Sequence, residues 1–275
     1  MSHIRKCLFP VAGYGTRFLP STKSIPKEML PILTKPLIQY SVEEALGAGM
    51  TQIVMVTNKH KGAIQQHFEP HPEIESSVKD TPKEALLEEI NYLITMCEFS
   101  YIEQQQMLGL GHAIHTGKPL IGDEPFVVVL PDDLCTNQGE SVLAQMLKVY
   151  QSNPDCCVVA VEVVPDTEVN KYGVIDGELL TGLDNIYRVK NMVEKPEPND
   201  APSNLAIIGR YILTHEIFET LSNTQPDHRG EIQITDALNI LAKKGKVIAC
   251  KFHGKRYDCG TFKGYLEANN TFYKF

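Results

Sequence analysis

Short, continuously apolar runs alternate with stretches of helical spacing through the first half of the chain. Residues 7–11 (Cys-Leu-Phe-Pro-Val), 52–57 (Gln-Ile-Val-Met-Val-Thr), 99–103, 126–130 (Phe-Val-Val-Val-Leu) and 156–163 are the apolar runs, and they predict strands. Between them, residues 37–48, 83–94, 112–120 and 141–151 repeat apolar positions at helical intervals and predict helices. Strands that are apolar on both faces and alternate with helices predict an α/β fold, with a mostly parallel sheet covered by helices on both sides. A sheet of that kind binds ligands at the carboxyl ends of its strands. Beyond residue 164 the pattern loosens. A strand is predicted over 203–214, helices over 217–221 and 234–244, a strand over 246–252 and a terminal helix over 264–275. Two stretches resist both patterns. Pro20, Pro26, Pro31 and Pro36 keep residues 19–36 extended or looped. The proline-rich segment 194–203 reads as a connection inside one fold.

At 275 residues the chain can form one large domain or two smaller ones, and its 43% apolar and 22% charged content is that of an ordinary globular protein. Neither a long apolar span nor a signal-peptide pattern is present, so a cytoplasmic protein is expected. Seven irregularly spaced cysteines without a C-x-x-C predict reduced thiols rather than a disulfide scaffold or a zinc site. The net charge of −8, with no basic block, argues against nucleic acid or a membrane surface as partner. A polyanionic small ligand stays open, because the charge inside a pocket can oppose the global sign.

The first strand empties into Ala12-Gly13-Tyr14-Gly15-Thr16-Arg17, with Lys27 ten residues on. Glycines let backbone N–H groups approach an oxyanion, and Arg17 and Lys27 can add full positive charge. The same residues could equally form a tight turn with both cations solvated. The spacing is neither that of a Walker A loop nor that of a dinucleotide fingerprint. Asp132 and Asp133 close the 126–130 run, where two acids call for a cation nearby. Neighbouring side chains in an extended chain point opposite ways, so Asp132 is assigned to the ligand and Asp133 to a helping or loop-forming role. A turn or cap role for both is the alternative. Asp258 offers a second hard carboxylate from a distant segment, and two carboxylates with phosphate oxygens suit Mg²⁺. Glu194-Lys195-Pro196 pairs an acceptor with a cation, or is simply an exposed charged loop. His112 and His115 share a helix face without a Glu between them, which favours packing or capping over metal binding. No Ser/His/Asp or Cys/His arrangement for nucleophilic catalysis is evident.

Several motifs occur in order: Ala12-Gly13-Tyr14-Gly15-Thr16-Arg17-Phe18-Leu19-Pro20, Pro26-Lys27-Glu28-Met29-Leu30-Pro31, Lys35-Pro36-Leu37-Ile38-Gln39-Tyr40 and Gly109-Leu110-Gly111-His112-Ala113. They continue with Leu130-Pro131-Asp132-Asp133, Val193-Glu194-Lys195-Pro196, Gly230-Glu231-Ile232-Gln233-Ile234-Thr235-Asp236 and Arg256-Tyr257-Asp258-Cys259-Gly260. From end to end the chain resembles the sugar-phosphate nucleotidylyltransferases, and within them the bacterial UTP–glucose-1-phosphate uridylyltransferases. The first motif marks the wider superfamily; Gly-Leu-Gly-His-Ala and Arg-Tyr-Asp-Cys-Gly point to the uridylyltransferase branch. Two places depart from the family pattern: Val11 stands where alanine is usual, and Gln105-Gln106-Met107-Leu108 is an unfamiliar approach to Gly109.

The resemblance implies a single domain of the nucleotide-diphospho-sugar transferase type, with a Rossmann-like, mostly parallel (mixed) sheet flanked by helices. Its nucleotide part would span about 1–135 and its sugar part about 136–275. It implies that Ala12, Gly13 and Gly15 hug the nucleotide, and that Gln104 and Gly109, helped by Glu28, bind uracil. Arg17 and Lys27 would hold the triphosphate, Asp132 and Asp258 a Mg²⁺ ion, Gly173 and Glu194 the glucose hydroxyls, and Lys195 the sugar phosphate. Arg17, Lys27, Asp132, Lys195 and Asp258 would then carry catalysis. The implied reaction makes UDP-glucose and pyrophosphate from UTP and glucose 1-phosphate. A sugar phosphate is already an anionic nucleophile, so this chemistry needs alignment and charge neutralisation and no general base. A homodimer or homotetramer is also implied, with 264–275 as a contact. The alternatives are the same fold acting on dTTP or ATP, or a non-catalytic paralogue that modulates a partner, against which stands the intact charged set.

Overall fold

The computed structural model describes residues 4–273. In chain order its strands are β1 (Lys6–Pro10), β2 (Pro31–Ile32), β3 (Lys35–Pro36), β4 (Gln52–Thr57), β5 (Glu98–Glu103), β6 (Phe126–Val129) and β7 (Asp133–Thr136). They continue with β8 (Cys157–Val163), β9 (Gly173–Leu179), β10 (Ile186–Glu194), β11 (Leu205–Leu213), β12 (Val247–Lys251) and β13 (Lys255–Asp258). Nine of them form one sheet in the order β5-β4-β1-β6-β11-β8-β12-β10-β9, while β7 and β13 make a separate ribbon and β2 and β3 a short ladder.

The parallel arrangement expected from the apolar runs holds for β5, β4, β1 and β6, and again for β8 with β12. Elsewhere the sheet is mixed. β11 lies antiparallel between β6 and β8, and β10 is antiparallel to both β12 and β9. The run Leu-Ala-Ile-Ile-Gly-Arg-Tyr-Ile-Leu of β11 is buried almost throughout, and burial on both faces erases the alternation that would have marked an antiparallel strand. The β9–β10 hairpin also turns back on the sheet, since Val174 pairs with Ala206 of β11, itself opposite Glu162 at the end of β8.

Side chains alternate across the central strands and feed two cores. Phe9, Met55, Val127 and Val129 pack on one face with Val42 of helix Leu37–Gly47 and Met146 of helix Val142–Ser152. Leu8, Val54, Phe126 and Val128 face the other way, toward helices Gly109–Thr116, Glu216–Asn223 and Ile234–Lys243. Phe126 and Phe218 stack there with ring centroids 5.2 Å apart. A third cluster joins Phe18, Leu30 and Leu37 to Leu134, Tyr257 and Ala268, tying the loop after β1 to the ribbon and to helix Phe262–Phe272.

The helix expected over 112–120 is two helices, Gly109–Thr116 and Lys118–Ile121, separated at Gly117 and Pro119, where proline suits a first turn and not a helix interior. Residues 83–94 contain a 3₁₀ turn, Glu84–Leu87, followed by helix Glu88–Met96. Helices Gly62–His67 and Pro72–Val78, and strands β9 and β10, were not legible, because polar residues and glycines interrupt their apolar patterns. The last two residues of the predicted terminal helix lie outside the described residues. Among the described residues, no helix is long and apolar enough to cross a membrane.

Candidate active site

The loop after β1 begins at the sheet. Val11 N–H donates to Val56 O at 2.8 Å, and Asn58 Nδ2 donates to the Ala12 carbonyl. Gly13 and Tyr14 are exposed, and Gly15 turns the chain at a left-handed φ of 67°. A side chain at Gly15 would meet Lys27, its Cβ lying 3.1 Å from Lys27 Cβ, so the loop folds directly over the lysine stem. Thr22 Oγ1 donates to Gly15 O at 2.7 Å and holds that turn, which continues through the short 3₁₀ segments Thr16–Phe18, Ser21–Lys23 and Lys27–Met29.

Lys27 Nζ lies 2.6 Å from Asp132 Oδ2. Burial works to lower the Lys27 pKa, yet Asp132 and Glu28 outweigh it and the net shift is upward. Burial likewise works to raise the Asp132 pKa, but Lys27 and then Arg17 leave it lowered. Both groups are therefore charged at neutral pH. Arg17 Nη1 reaches the Gly260 carbonyl at 3.4 Å. A methyl group on Gly260 would lie 2.9 Å from Asp132 Oδ2, 3.1 Å from Asp258 Oδ1 and 3.4 Å from Arg17 Nη1. Three charged groups from the beginning, middle and end of the chain thus converge on one small residue. The Asp258 pKa is raised, by burial first and then by Asp133. Asp133 itself points away from Lys27: it accepts from Gly209 N at 3.0 Å and from Arg256 Nε.

A second group forms at the open end of the β9–β10 hairpin, where Gly173 pairs with Glu194. A Cβ on Gly173 would sit 2.8 Å from Thr235 Oγ1 and 3.2 Å from Glu194 Oε2. Thr235 Oγ1 donates to Glu194 Oε2 at 2.7 Å, and Lys195 Nζ lies 2.7 Å from Glu194 Oε1. Lys195 adopts a φ of 46°, and its N–H donates to Tyr172 O at 2.9 Å. Thr235 was not assigned from the sequence; its signal was membership of the Gly230–Asp236 motif.

The third group follows β5. Gln104 N–H donates to Thr57 O at 2.8 Å, and its Nε2 lies 2.8 Å from His112 Nδ1 and 3.5 Å from Gly109 O. Gly109, at φ 89°, opens helix Gly109–Thr116, and a side chain there would come within 2.9 Å of Glu231 Cβ. Gly111 N donates to Ile232 O and Ile232 N to Leu108 O, both at 2.8 Å, so the unfamiliar residues 105–108 are anchored to the 227–233 loop. His112 is a partner of Gln104 that the sequence left as packing or capping. Glu28 is held by a buried cation. It is only 1% exposed and pairs with Lys61 Nζ at 2.7 Å, and its Oε1 has no hydrogen-bond partner.

No group of three or more His, Cys, Asp or Glu side chains that could hold a metal occurs among the described residues. The two carboxylates that meet at Gly260 could hold a hard cation that completes its shell with phosphate oxygens and water. His112 and His115 turn to different partners, Gln104 and Ser222 Oγ.

A family model described as nucleotidyl transferase matches residues 10–274. The chain is 58% identical to a UTP–glucose-1-phosphate uridylyltransferase of Pseudomonas aeruginosa over 98% of its own length and 96% of that protein. A crystal structure of apo UDP-glucose pyrophosphorylase, 57% identical, superimposes with a TM-score of 0.95 and 98% coverage of both chains. One of UDP-glucose pyrophosphorylase complexed with UDP-glucose, 55% identical, gives 0.90 over 98% of this chain and 99% of that one. With end-to-end likeness of this order and the charged groups gathered as described, the chain belongs to the nucleotidyl transferase family, in its UTP–glucose-1-phosphate uridylyltransferase branch.

Proposed function

We propose that this protein transfers a uridylyl group from UTP to glucose 1-phosphate, giving UDP-glucose and pyrophosphate. The observation that carries the reading is the convergence of Arg17, Asp132 and Asp258 on Gly260, with Lys27 bound to Asp132. A phosphate oxygen of glucose 1-phosphate attacks the α-phosphorus of UTP. The bond to the β-phosphate oxygen breaks, and pyrophosphate leaves with the electron pair. Arg17 and Lys27 hold the triphosphate, whose charge otherwise repels the incoming sugar phosphate. Lys195 holds the sugar phosphate in line, and Gly173 and Glu194 take glucose hydroxyls at the point where any larger residue than glycine would strike Thr235. Ala12, Gly13 and Gly15 receive the nucleoside, and Gln104 and Gly109 the uracil. Glu28, whose Oε1 has no partner of its own, helps at the uracil. Asp132 and Asp258 are the residues that would hold Mg²⁺, which when bound supplies neutralising charge to the phosphates.

The whole chain acts as one domain with a Rossmann-like nucleotide half. It works in the cytoplasm, where its seven unpaired thiols stay reduced. A homodimer or homotetramer is supported by helix Phe262–Phe272, which leaves Phe262 66% and Leu266 61% exposed on neighbouring turns. Pyrophosphate release with UTP, dTTP and ATP in competition, each with glucose 1-phosphate and Mg²⁺, tests the assignment. UTP should be clearly preferred; preference for dTTP or ATP would change the substrate, and background release with all three would leave only a nucleotide-sugar binding protein.

A further inference from the structure

Arg256 stands at the junction of the two halves of the site and touches both. It lies on β13 two residues before Asp258, so both side chains leave the same face of the β7–β13 ribbon. The register places Asp258 directly opposite Asp133, an unfavourable pairing of like charges. The Arg256 guanidinium compensates. Nε donates to Asp133, Nη1 donates to Glu162 Oε1 at 2.5 Å, and Nη2 lies 3.9 Å from Asp258 Oδ2. Its fourth neighbour is aromatic: the guanidinium carbon sits 5.0 Å from the ring centroid of Tyr172. Tyr172 is not a bystander, because its carbonyl accepts the Lys195 N–H and the next residue is Gly173. Lysine could not reproduce this arrangement, having a single point charge where the planar fork meets two carboxylates and stacks on a ring.

We propose that Arg256 is a positioning residue that couples the Asp258 carboxylate to the sugar-phosphate loop through Tyr172. One guanidinium thereby sets both the metal-facing oxygens and the backbone that presents Lys195. This role rests on the functions proposed above for Asp258 and Lys195.

Arg256→Lys and Tyr172→Leu in the full-length protein test it, with three readouts: Mn²⁺ titration of the enzyme–UTP complex by electron paramagnetic resonance, separate KM values for UTP and glucose 1-phosphate, and thermal melting. Tyr172 makes no hydrogen bond to Asp132 or Asp258, yet Tyr172→Leu should weaken Mn²⁺ binding by about threefold or more and raise the glucose 1-phosphate KM by a similar factor, with the UTP KM little changed. Arg256→Lys should produce the same split more strongly, and the double variant should be no worse than Arg256→Lys alone. Mn²⁺ affinity unchanged in Tyr172→Leu overturns the coupling, even if Arg256→Lys does not fold. Additive effects in the double variant, or equal loss for both substrates, also overturn it. If the wild-type protein did not turn over UTP and glucose 1-phosphate, the proposed reaction would fail, while the Mn²⁺ titration would still decide the role of Arg256.

Discussion

Lys27 and Asp132 are 105 residues apart in the chain, yet ammonium and carboxylate meet at 2.6 Å beneath the glycine loop. Each holds the other in its charged form, and in the proposed reaction each also serves a substrate, Lys27 by holding the triphosphate and Asp132 as one of the residues that would hold the cation. Asp132→Ala removes both the metal oxygen and the partner that fixes Lys27. Pyrophosphate release should fall by at least about 10²–10³-fold, on the scale of losing one preorganised electrostatic contact. Circular dichroism should show an unchanged fold. Activity within a few-fold of wild type would refute the metal role.

Lys195 is 42% exposed in its side chain and shares Glu194 with Thr235. Water reaches it, so its contact with a sugar phosphate belongs at the lower end of charge-assisted hydrogen bonds. Lys195→Ala should raise the glucose 1-phosphate KM by about tenfold or somewhat more. Initial-rate kinetics with each substrate varied in turn would check this. A shift confined to the UTP KM would move Lys195 to the other side of the site.

Glu28 and Lys61 form a pair that is nearly sealed from solvent, at 1% and 6% side-chain exposure. Burial raises the Glu28 pKa although Lys27 and Lys61 oppose it. Lys61→Met removes the hydrogen-bonded cation but leaves Lys27 nearby, and should cost about 3 kcal/mol in urea unfolding, the low end of the usual penalty for breaking a buried pair from one side. Adding Glu28→Gln should recover part of that loss. Two single variants whose costs simply add would show that the pair is not coupled.

His112 receives the Gln104 amide on Nδ1 only while that nitrogen is unprotonated. Burial lowers its pKa below the ordinary 6.5. The unfolded chain therefore takes up a proton before the native protein does. Stability from this group is complete above about pH 6.5 and falls as pH drops through the lower native value. NMR titration of the imidazole should place its midpoint below 6.5, and the UTP KM should rise on the acid side of that midpoint. A midpoint at or above 6.5 would rule out the neutral acceptor.

The parts of the fold that were legible are those whose burial leaves a periodic trace. Val127, Val128 and Val129 are wholly buried and read as a strand without ambiguity. Strand direction leaves no such trace, which is why β11 could not be told from a parallel neighbour. The site divides in the same way. Asp132 stood out because an acid at the end of an apolar run needs a reason, Lys27 as a cation after the glycine loop, and Asp258 as a second carboxylate from a distant segment; the meeting of the two acids at Gly260 is a tertiary fact that no local pattern contains. Glu28 shows the opposite case. Its place in a motif suggested a role at the base, but its immediate partner Lys61, which follows the next long strand, β4, could be found only by folding the chain. Arg256 was visible only as a letter in the motif around Asp258.

The antiparallel strand β11 has a consequence for how this protein can be taken apart. β6 is paired with β1 on one side and with β11 on the other, and residues 205–213 that complete it come long after the Asp132 turn. Severed after residue 135, the nucleotide half would present β6 as an unprotected apolar edge open to any strand in solution. It would also lose Asp258, one of the two carboxylates proposed to hold the cation. Expressed alone, that half should aggregate, and only the remaining 140 or so residues supplied in trans should rescue it. On the proposed division, nucleotide handling and sugar handling share one folding unit, and a fusion that borrowed either segment alone should fail to fold.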